Sequence, residues 1–177
     1  MKGTELILGG ARSGKSNLAE QLAAASGLDV IYVATATAGD EEMAERIARH
    51  QIQRPAAWQV VEEPEDLAGV VQRYSRKGTC LLIDCLTLWL TNCLCGEEAT
   101  HEHWQQHKDD FLTALLHAEG RIILVSNEVG QGIVPMGELS RRFVDESGWL
   151  HQAIARQAER VVFVTAGIPQ VLKGPAW

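Results

Sequence analysis

The residues that point most directly to chemistry form one glycine-rich segment near the amino terminus. Residues 9–16 read Gly-Gly-Ala-Arg-Ser-Gly-Lys-Ser and fit the pattern G-x-x-x-x-G-K-[ST] in full. In such a loop, backbone N–H groups and a helix N-terminus face phosphate oxygens, the lysine reaches the β- and γ-phosphates and the serine takes Mg²⁺. The segment predicts binding of a nucleoside triphosphate by Gly9, Gly10, Ala11, Arg12, Ser13, Gly14, Lys15 and Ser16.

A loop of this kind needs a second acidic residue to hold Mg²⁺ or its water shell, usually at the end of a neighbouring buried strand. Asp84 fits because it directly follows the apolar residues 81–83. We therefore predict Ser16 and Asp84 as the magnesium ligands. Asp84 could instead cap the helix predicted over residues 86–95, and the two roles can coexist.

A histidine near the end of a predicted helix is the candidate nucleophile. Residues 40–53 have an acidic first turn and a basic last turn, as the helix macrodipole favours, and His50 lies near the end. Most histidines in such positions are structural. Here Arg46, Arg49 and Arg54 lie close in sequence, form a cluster suited to phosphate, and favour a neutral imidazole able to attack phosphorus.

The elements that position these residues alternate between short apolar runs and longer amphipathic stretches. This alternation predicts an α/β fold of the P-loop NTPase type, with a mostly parallel central sheet and helices on both faces. No linker or repeat divides the chain, so we expect one nucleotide-binding domain over residues 1–177. The predicted strands are residues 6–8, 30–33, 58–62, 80–83, 121–125 and 161–164, and the predicted helices are 15–26, 40–53, 65–76, 86–95, 101–118 and 137–159.

Composition and charge exclude several classes of function. The 16 Lys and Arg residues against 23 Asp and Glu residues give a net charge of −7, which disfavours nucleic-acid binding. No run of 18 apolar residues occurs, and Arg12 and Lys15 interrupt the amino-terminal region before a signal-length apolar segment develops. We therefore expect a soluble cytoplasmic protein with no membrane span and no nucleic-acid partner.

The cysteines form a cluster at positions 80, 85, 93 and 95. Cys93 and Cys95 could form a metal site with His101, His103 and His107, but the C-x-C spacing differs from the C-x-x-C of zinc knuckles. Cys80 and Cys85 lie in an apolar region, where cysteine behaves as a small hydrophobic residue. We favour reduced, buried thiols over a metal site.

Several motifs together carry a resemblance to a known family. They are the loop at 9–16, Ala-Thr-Ala at 34–36, R-I-x-x-H at 46–50, I-D-C-L-T-x-W at 83–89, and N-E-V-G-x-G-I-V-P at 127–135. The combination spans almost the whole chain and resembles the bifunctional adenosylcobinamide kinase/adenosylcobinamide-phosphate guanylyltransferase family of cobalamin biosynthesis. The loop alone is common to many unrelated NTPases, whereas the combination is specific.

The resemblance implies phosphorylation of adenosylcobinamide with ATP or GTP, then transfer of GMP from GTP to adenosylcobinamide phosphate. His50 aligns with the histidine that holds GMP covalently, and Lys15 would serve both reactions in the presence of Mg²⁺. A homo-oligomer, a trimer, is also implied. The family usually has asparagine where this chain has His151, which leaves the role of that position open. The resemblance places around the guanine nucleotide Ala34, Thr35, Ala36, Gln51, Ile52, Gln53, Arg54, Glu62 and Asp84.

The residues by themselves leave other functions open. A different small-molecule P-loop kinase without guanylyltransferase activity is the main alternative, and a nucleotide-dependent regulatory module is another. A nucleophilic His50 would distinguish a member of the family that the chain resembles from a simple P-loop kinase, because a simple kinase needs no nucleophilic histidine. Glu62 could be a solvated strand end, residues 127–130 could face substrate or simply turn the chain, and we leave Arg141 and Arg142 outside the site.

Overall fold

A computed structural model of the chain describes residues 3–36, 55, 57–96 and 100–175. The helix predicted over 40–53, and with it His50 and residues 51–54, lies outside the described residues. The strands are β1 (Gly3–Gly9), β2 (Asp29–Ala34), β3 (Gln59–Glu62), β4 (Thr79–Asp84), β5 (Arg121–Asn127), β6 (Arg160–Thr165) and β7 (Ile168–Lys173). The helices are α1 (Lys15–Ala24), α2 (Leu67–Tyr74), α3 (Leu86–Cys95), α4 (His101–His117) and α5 (Glu138–Gln157).

The described strands form one sheet in the order β3-β2-β4-β5-β1-β6-β7. All neighbouring strands are parallel except β6 and β7, which pair antiparallel. The predicted α/β fold and the six predicted strands are confirmed, with ends that differ by at most three residues.

The sequence analysis missed β7. This edge strand contains Pro169 and is mostly exposed, so it lacks the apolar run by which the other strands were found. It follows β6 through a tight turn in which Ala166 and Gly167 both have positive φ, 52° and 78°. Two left-handed residues in succession are typical of the turn that closes a two-residue hairpin.

Alternate residues of the central strands face opposite layers of helices. Leu6 and Leu8 of β1 pack with apolar residues of α2, α3, α4 and α5, whereas Ile7 packs on the other face with Ala19 and Ala23 of α1. Both faces of the sheet are thus covered, which is why its strands read as continuous apolar runs. The predicted helices on both faces are confirmed.

A buried carboxylate joins three strands at the amino edge of the sheet. Glu5 of β1 accepts hydrogen bonds from Arg121 Nε of β5 at 2.9 Å and from Arg160 Nε of β6 at 2.8 Å. The three side chains are only 10–14% exposed. Each arginine approaches a different oxygen of Glu5, so both guanidinium groups have a charged hydrogen-bond partner where water has little access.

Replacing this carboxylate should destabilise the protein. Glu5→Gln would leave two half-paired guanidinium groups inside the protein, and loss of one partner from a buried ion pair costs about 3 kcal/mol or more. We expect the free energy of unfolding, measured by urea denaturation, to fall by about that amount. Asp109→Asn changes an exposed carboxylate on α4 and serves as the control. Equal stability of the two variants would contradict a stabilising role for Glu5.

Candidate functional site

The glycine-rich loop connects the end of β1 to the start of α1. Gly14 precedes α1 in a left-handed conformation with φ 97°. A side chain there would be strained, and its Cβ would lie 3.1 Å from the Cα of Gly167. The Ser13 carbonyl accepts a hydrogen bond from the Gly167 N–H at 2.7 Å. The turn between β6 and β7 therefore supports the loop, and only glycine fits where the two backbones meet.

The polar groups of the loop suit a phosphate ligand. Lys15 is 8% exposed, and its Nζ donates to the Gly10 carbonyl at 2.9 Å. Burial lowers the pKa of the Lys15 ammonium, and the negative charge of Asp84 acts in the opposite direction. Ser13 Oγ is buried and has no hydrogen-bond partner among the described residues. Among the described residues other than its two chain neighbours, no atom lies within 4 Å of the position that a Cβ on Gly10 would take, so a phosphate oxygen has room to approach the backbone.

Three predicted binding residues lie side by side at the carboxyl edge of the sheet. Ala34 at the end of β2 pairs with Glu62 at the end of β3 and with Asp84 at the end of β4. Further along the sheet, Gly9 pairs with Asn127 of β5. The strand register thus places Glu62, Ala34 and Asp84 on the edge where the glycine-rich loop begins. Ligands of open α/β sheets bind at this edge.

The end of β4 shows whether Asp84 caps helix α3, an alternative that the sequence left open. The N-cap of α3 is Cys85, and no side chain caps this helix by a hydrogen bond. The capping alternative for Asp84 is therefore wrong. Its carboxylate acts on the charge of Lys15 instead, as the pKa of that lysine indicates.

Thr35 joins the ends of two strands through its side chain. This side chain is fully buried, and Oγ1 donates to the Cys85 carbonyl at 2.7 Å and accepts from the Cys85 N–H at 2.9 Å. Asn92 Nδ2 donates to the Thr35 carbonyl at 2.9 Å and to that of Pro64 at 3.0 Å. The Thr35 hydroxyl therefore joins the ends of β2 and β4.

A buried polar network that the sequence analysis did not find supports the end of β5. Thr87 Oγ1 accepts from the Asn127 N–H at 2.8 Å and lies 3.3 Å from Ser126 Oγ. Ser126 Oγ lies 2.8 Å from His151 Nε2. Single serine and threonine residues inside apolar segments give no sequence signal of such a network. Its effect is to fix the strand end from which residues 128–137 continue.

His151 and Glu128 complete this network. His151 Nδ1 lies 3.9 Å from Glu128 Oε2, and Glu128 Oε1 accepts from the Gly130 N–H at 2.7 Å. The Glu128 N–H donates to the carbonyl of Gly9, which ends β1. Burial lowers the pKa of His151, and the Glu128 charge opposes this shift. His151, the position where the chain departs from the family pattern, therefore packs inside and holds the loop after β5 beside the end of β1.

The arginines of α5 have partners within the protein. Arg141 Nη1 donates to the carbonyls of Pro135 and Met136 at 3.2 Å and 2.5 Å, and Arg142 Nη2 lies 3.4 Å from His101 Nδ1. Both side chains thus have contacts within the protein, and their place outside the site stays a prediction.

The four cysteines are free thiols, as the sequence analysis expected. Cys80, Cys85 and Cys93 are buried, and Cys95 is exposed. Burial raises the pKa of Cys80 and of Cys85 to about 11, so both remain uncharged. They pack in the apolar layer between the sheet and α1.

Comparison with known proteins identifies close relatives. Residues 5–172 match the family described as cobinamide kinase / cobinamide phosphate guanyltransferase. The bifunctional adenosylcobalamin biosynthesis protein CobP of Pseudomonas aeruginosa is 58% identical over 170 residues, which cover 96% of this chain and 97% of that protein. The CobU protein of Salmonella typhimurium, whose name describes the same bifunctional role, is 37% identical and covers 95% of this chain and 98% of its own.

Solved structures support the fold alone. The flagellar accessory protein FlaH of Methanocaldococcus jannaschii has a TM-score of 0.52 at 15% identity and covers 97% of this chain and 78% of its own. The RadB recombinase has a TM-score of 0.52 at 14% identity, covering 91% and 73%. Both likenesses concern the fold, and they agree with the α/β architecture predicted from the sequence. None of the described helices combines the length and apolar character needed to cross a bilayer.

The lowered pKa of His151 predicts a specific pH dependence of stability. As pH falls through the ordinary histidine pKa of about 6.5, the unfolded chain takes up a proton that the folded chain resists. The free energy of unfolding should therefore fall with decreasing pH, by at most about 1.4 kcal/mol per pH unit from this group. His151→Gln keeps a nitrogen able to bond Ser126 and should lose this part of the slope.

The measurement is urea denaturation at about pH 7.5 and about pH 5.5, on either side of that pKa. His117→Gln changes an exposed histidine of α4 and is the control, for which we expect the wild-type slope. An unchanged slope in His151→Gln would show that His151 titrates alike in the folded and unfolded chains.

Proposed function

The chain belongs to the cobinamide kinase / cobinamide phosphate guanyltransferase family, and we propose that it phosphorylates adenosylcobinamide and then converts the product to adenosylcobinamide-GDP in cobalamin biosynthesis. The observation that carries the proposal is the glycine-rich loop, in which Lys15 donates to the Gly10 carbonyl and the buried Ser13 hydroxyl has no partner among the described residues. A match over residues 5–172 supports the same conclusion along the chain.

In the kinase step, the substrate hydroxyl oxygen attacks the γ-phosphorus of ATP or GTP. A new P–O bond forms, the bond between the γ-phosphorus and the bridging oxygen breaks, and the hydroxyl proton is released. Positioning and charge stabilisation account for most of the catalysis of such transfers. Lys15 supplies a cation beside the loop amides, and a phosphate oxygen would replace the Gly10 carbonyl as its hydrogen-bond acceptor.

In the guanylyltransferase step, we propose that a His50 nitrogen attacks the α-phosphorus of GTP. The bond to the β-phosphate breaks, pyrophosphate leaves, and GMP stays on the histidine. A phosphate oxygen of adenosylcobinamide phosphate then displaces the imidazole and gives adenosylcobinamide-GDP. The R-I-x-x-H motif at 46–50 supports this role. The flanking residues Gln51, Ile52, Gln53 and Arg54, with Ala34, Thr35, Ala36, Glu62 and Asp84, are proposed to surround the nucleotide.

Mg²⁺ fits the donor set at the start of α1 and the end of β4. Ser16 offers a hydroxyl oxygen and Asp84 a carboxylate, which are the hard oxygen ligands that this ion prefers. The Asp84 charge also raises the pKa of Lys15 in the loop, which supports this assignment. When bound, the ion would neutralise charge on the phosphates. We propose Ser16 and Asp84 as its protein ligands.

We further propose that the chain works in the cytoplasm as a homotrimer. Ile133, Val134 and Met136 follow β5 and are 98%, 74% and 97% exposed, which supports contact with another copy. All four cysteines are unpaired thiols, which suits a reducing compartment.

The first functional prediction is that Lys15→Ala removes both activities, because one lysine serves the phosphates in both steps. Loss of one preorganised electrostatic contact typically lowers kcat about 10²–10³-fold. Turnover is measured separately as γ-phosphoryl transfer to adenosylcobinamide and GMP transfer to its phosphate. Lys77→Ala removes an exposed lysine ahead of β4 and should leave both rates unchanged. Near-normal rates of either reaction in Lys15→Ala would show that the loop does not serve both steps.

The second functional prediction is that His50→Ala separates the two reactions. Only guanylyl transfer needs a nucleophile that holds GMP, so this variant should lose GMP transfer and retain most of its kinase rate. The assay incubates the protein with α-labelled GTP and Mg²⁺ and tests for acid-labile, base-stable label. His117→Ala is the matched control. Wild-type protein that phosphorylates adenosylcobinamide but never takes up label would indicate a simple kinase, and label that persists on His50→Ala would indicate another nucleophile.

A further inference from the structure

Three potential metal ligands converge on the helical face of the sheet opposite α1, and the proposed reactions do not use them. Glu65 lies between β3 and α2, and His103 and His107 lie on α4. One ligand atom from each lies within 4.8 Å of the other two, and all three residues are half-buried. His103 and His107 are four residues apart on one helix, so their side chains share one face.

The two imidazoles are already close to the arrangement that one ion would require. His103 Nε2 and His107 Nε2 lie 3.0 Å apart, and the rings meet edge to face with centroids at 4.3 Å. Zinc–nitrogen bonds of about 2.0–2.1 Å in a tetrahedral site put two nitrogens about 3.3 Å apart. A movement of a few tenths of an ångström would therefore let both nitrogens bind one ion.

The backbones that carry the ligands are fixed before any ion binds. The Glu65 carbonyl accepts from Trp89 Nε1 at 2.7 Å, and its N–H donates to Glu63 Oε1 at 3.0 Å. The His103 N–H donates to Thr100 Oγ1, the N-cap of α4, at 3.1 Å. Little backbone ordering would remain to oppose binding, which favours a usable affinity.

Aromatic packing holds the two parts of the cluster against each other. Trp89 of α3, which binds the Glu65 carbonyl, meets Trp104 edge to face at 5.2 Å. Trp104 directly follows His103 in the chain and is fully buried. The ring of Trp89 also lies 5.0 Å from that of Phe111. The distance between Glu65 and the histidines is therefore set by a rigid apolar core.

The chemical types of the three ligands indicate which class of metal ion this cluster would bind. Two imidazoles and one carboxylate suit Zn²⁺ and similar divalent transition ions, whereas Mg²⁺ and Ca²⁺ prefer all-oxygen sites. Three protein ligands leave a fourth position for water. Cys93 and Cys95, which the sequence grouped with these histidines, do not belong to the cluster.

We propose that Glu65, His103 and His107 form a binding site for Zn²⁺, separate from the proposed magnesium ligands Ser16 and Asp84. Its affinity should be moderate. His103 Nδ1 is buried without a hydrogen-bond partner among the described residues. Metal-binding histidines usually donate a hydrogen bond from their second ring nitrogen, and loss of that partner typically lowers metal affinity about 10–100-fold. We therefore expect a dissociation constant on the order of micromolar, well above those of structural zinc sites with complete outer shells.

The test is isothermal titration of chelator-treated, full-length protein with ZnCl₂ in the absence of nucleotide. We expect one site per chain, and an excess of MgCl₂ should not displace the ion. His103→Ala and His107→Ala should each weaken Zn²⁺ binding by about tenfold or more, because even the loss of a hydrogen-bond partner of a metal ligand has an effect of that size. His101→Ala and His117→Ala change exposed histidines of the same helix and should bind like the wild type.

A second variant and a second readout keep the proposal testable if a histidine variant folds poorly. Glu65→Gln removes the charge of a half-buried ligand while its backbone contacts remain, and should weaken Zn²⁺ binding also. Substitution with Co²⁺ reports the ligands directly, because its visible spectrum depends on coordination number and geometry. Two results would overturn the proposal. One is wild-type protein without micromolar binding, and the other is equal binding by wild-type, Glu65→Gln and His107→Ala proteins.

Discussion

The parallel pairing of β1, β2, β4 and β5 is the constraint on which the candidate site depends. Parallel strands have their carboxyl ends at the same edge of the sheet. Residues far apart in sequence therefore become neighbours at that edge. The register places Glu62, Ala34 and Asp84 in one row across β3, β2 and β4. A slip of one residue in any of these strands would turn its apolar side chains to the wrong layer. The burial of both faces of the sheet therefore also determines which residues lie together at the candidate site.

The two edges of the sheet are built differently. At the amino edge, Glu5 forms buried ion pairs with Arg121 and Arg160. At the carboxyl edge lies the glycine-rich loop, whose buried Ser13 hydroxyl has no partner within the described residues. The buried charges and the candidate site thus lie at opposite ends of the same strands. The left-handed conformation that precedes α1 is adopted by Gly14, which has no side chain to oppose it.

Buried hydroxyl groups connect the elements around the site. Thr35 joins the end of β2 to Cys85 after β4, and Thr87 joins α3 to the end of β5. Ser126 extends the second connection to His151 of α5. Each group satisfies backbone or side-chain partners that would otherwise be buried without hydrogen bonds. The result is a strand edge whose loops start from defined positions.

The sequence by itself determined the α/β class, the glycine-rich loop and most of the strands, because these follow from local patterns of apolar residues and from a motif whose spacing reflects its mechanism. It did not reveal β7, whose exposed side chains and Pro169 resemble a loop, although its turn supports Gly14. It also allowed Asp84 as a helix cap, and it offered a metal site of cysteines and histidines only as the less favoured alternative. Only the tertiary structure gave the cap position to Cys85 and brought Glu65 to His103 and His107. The contact of Glu65 with the two histidines joins segments far apart in the chain, and its formation depends on how helices pack on the sheet, which no local pattern encodes.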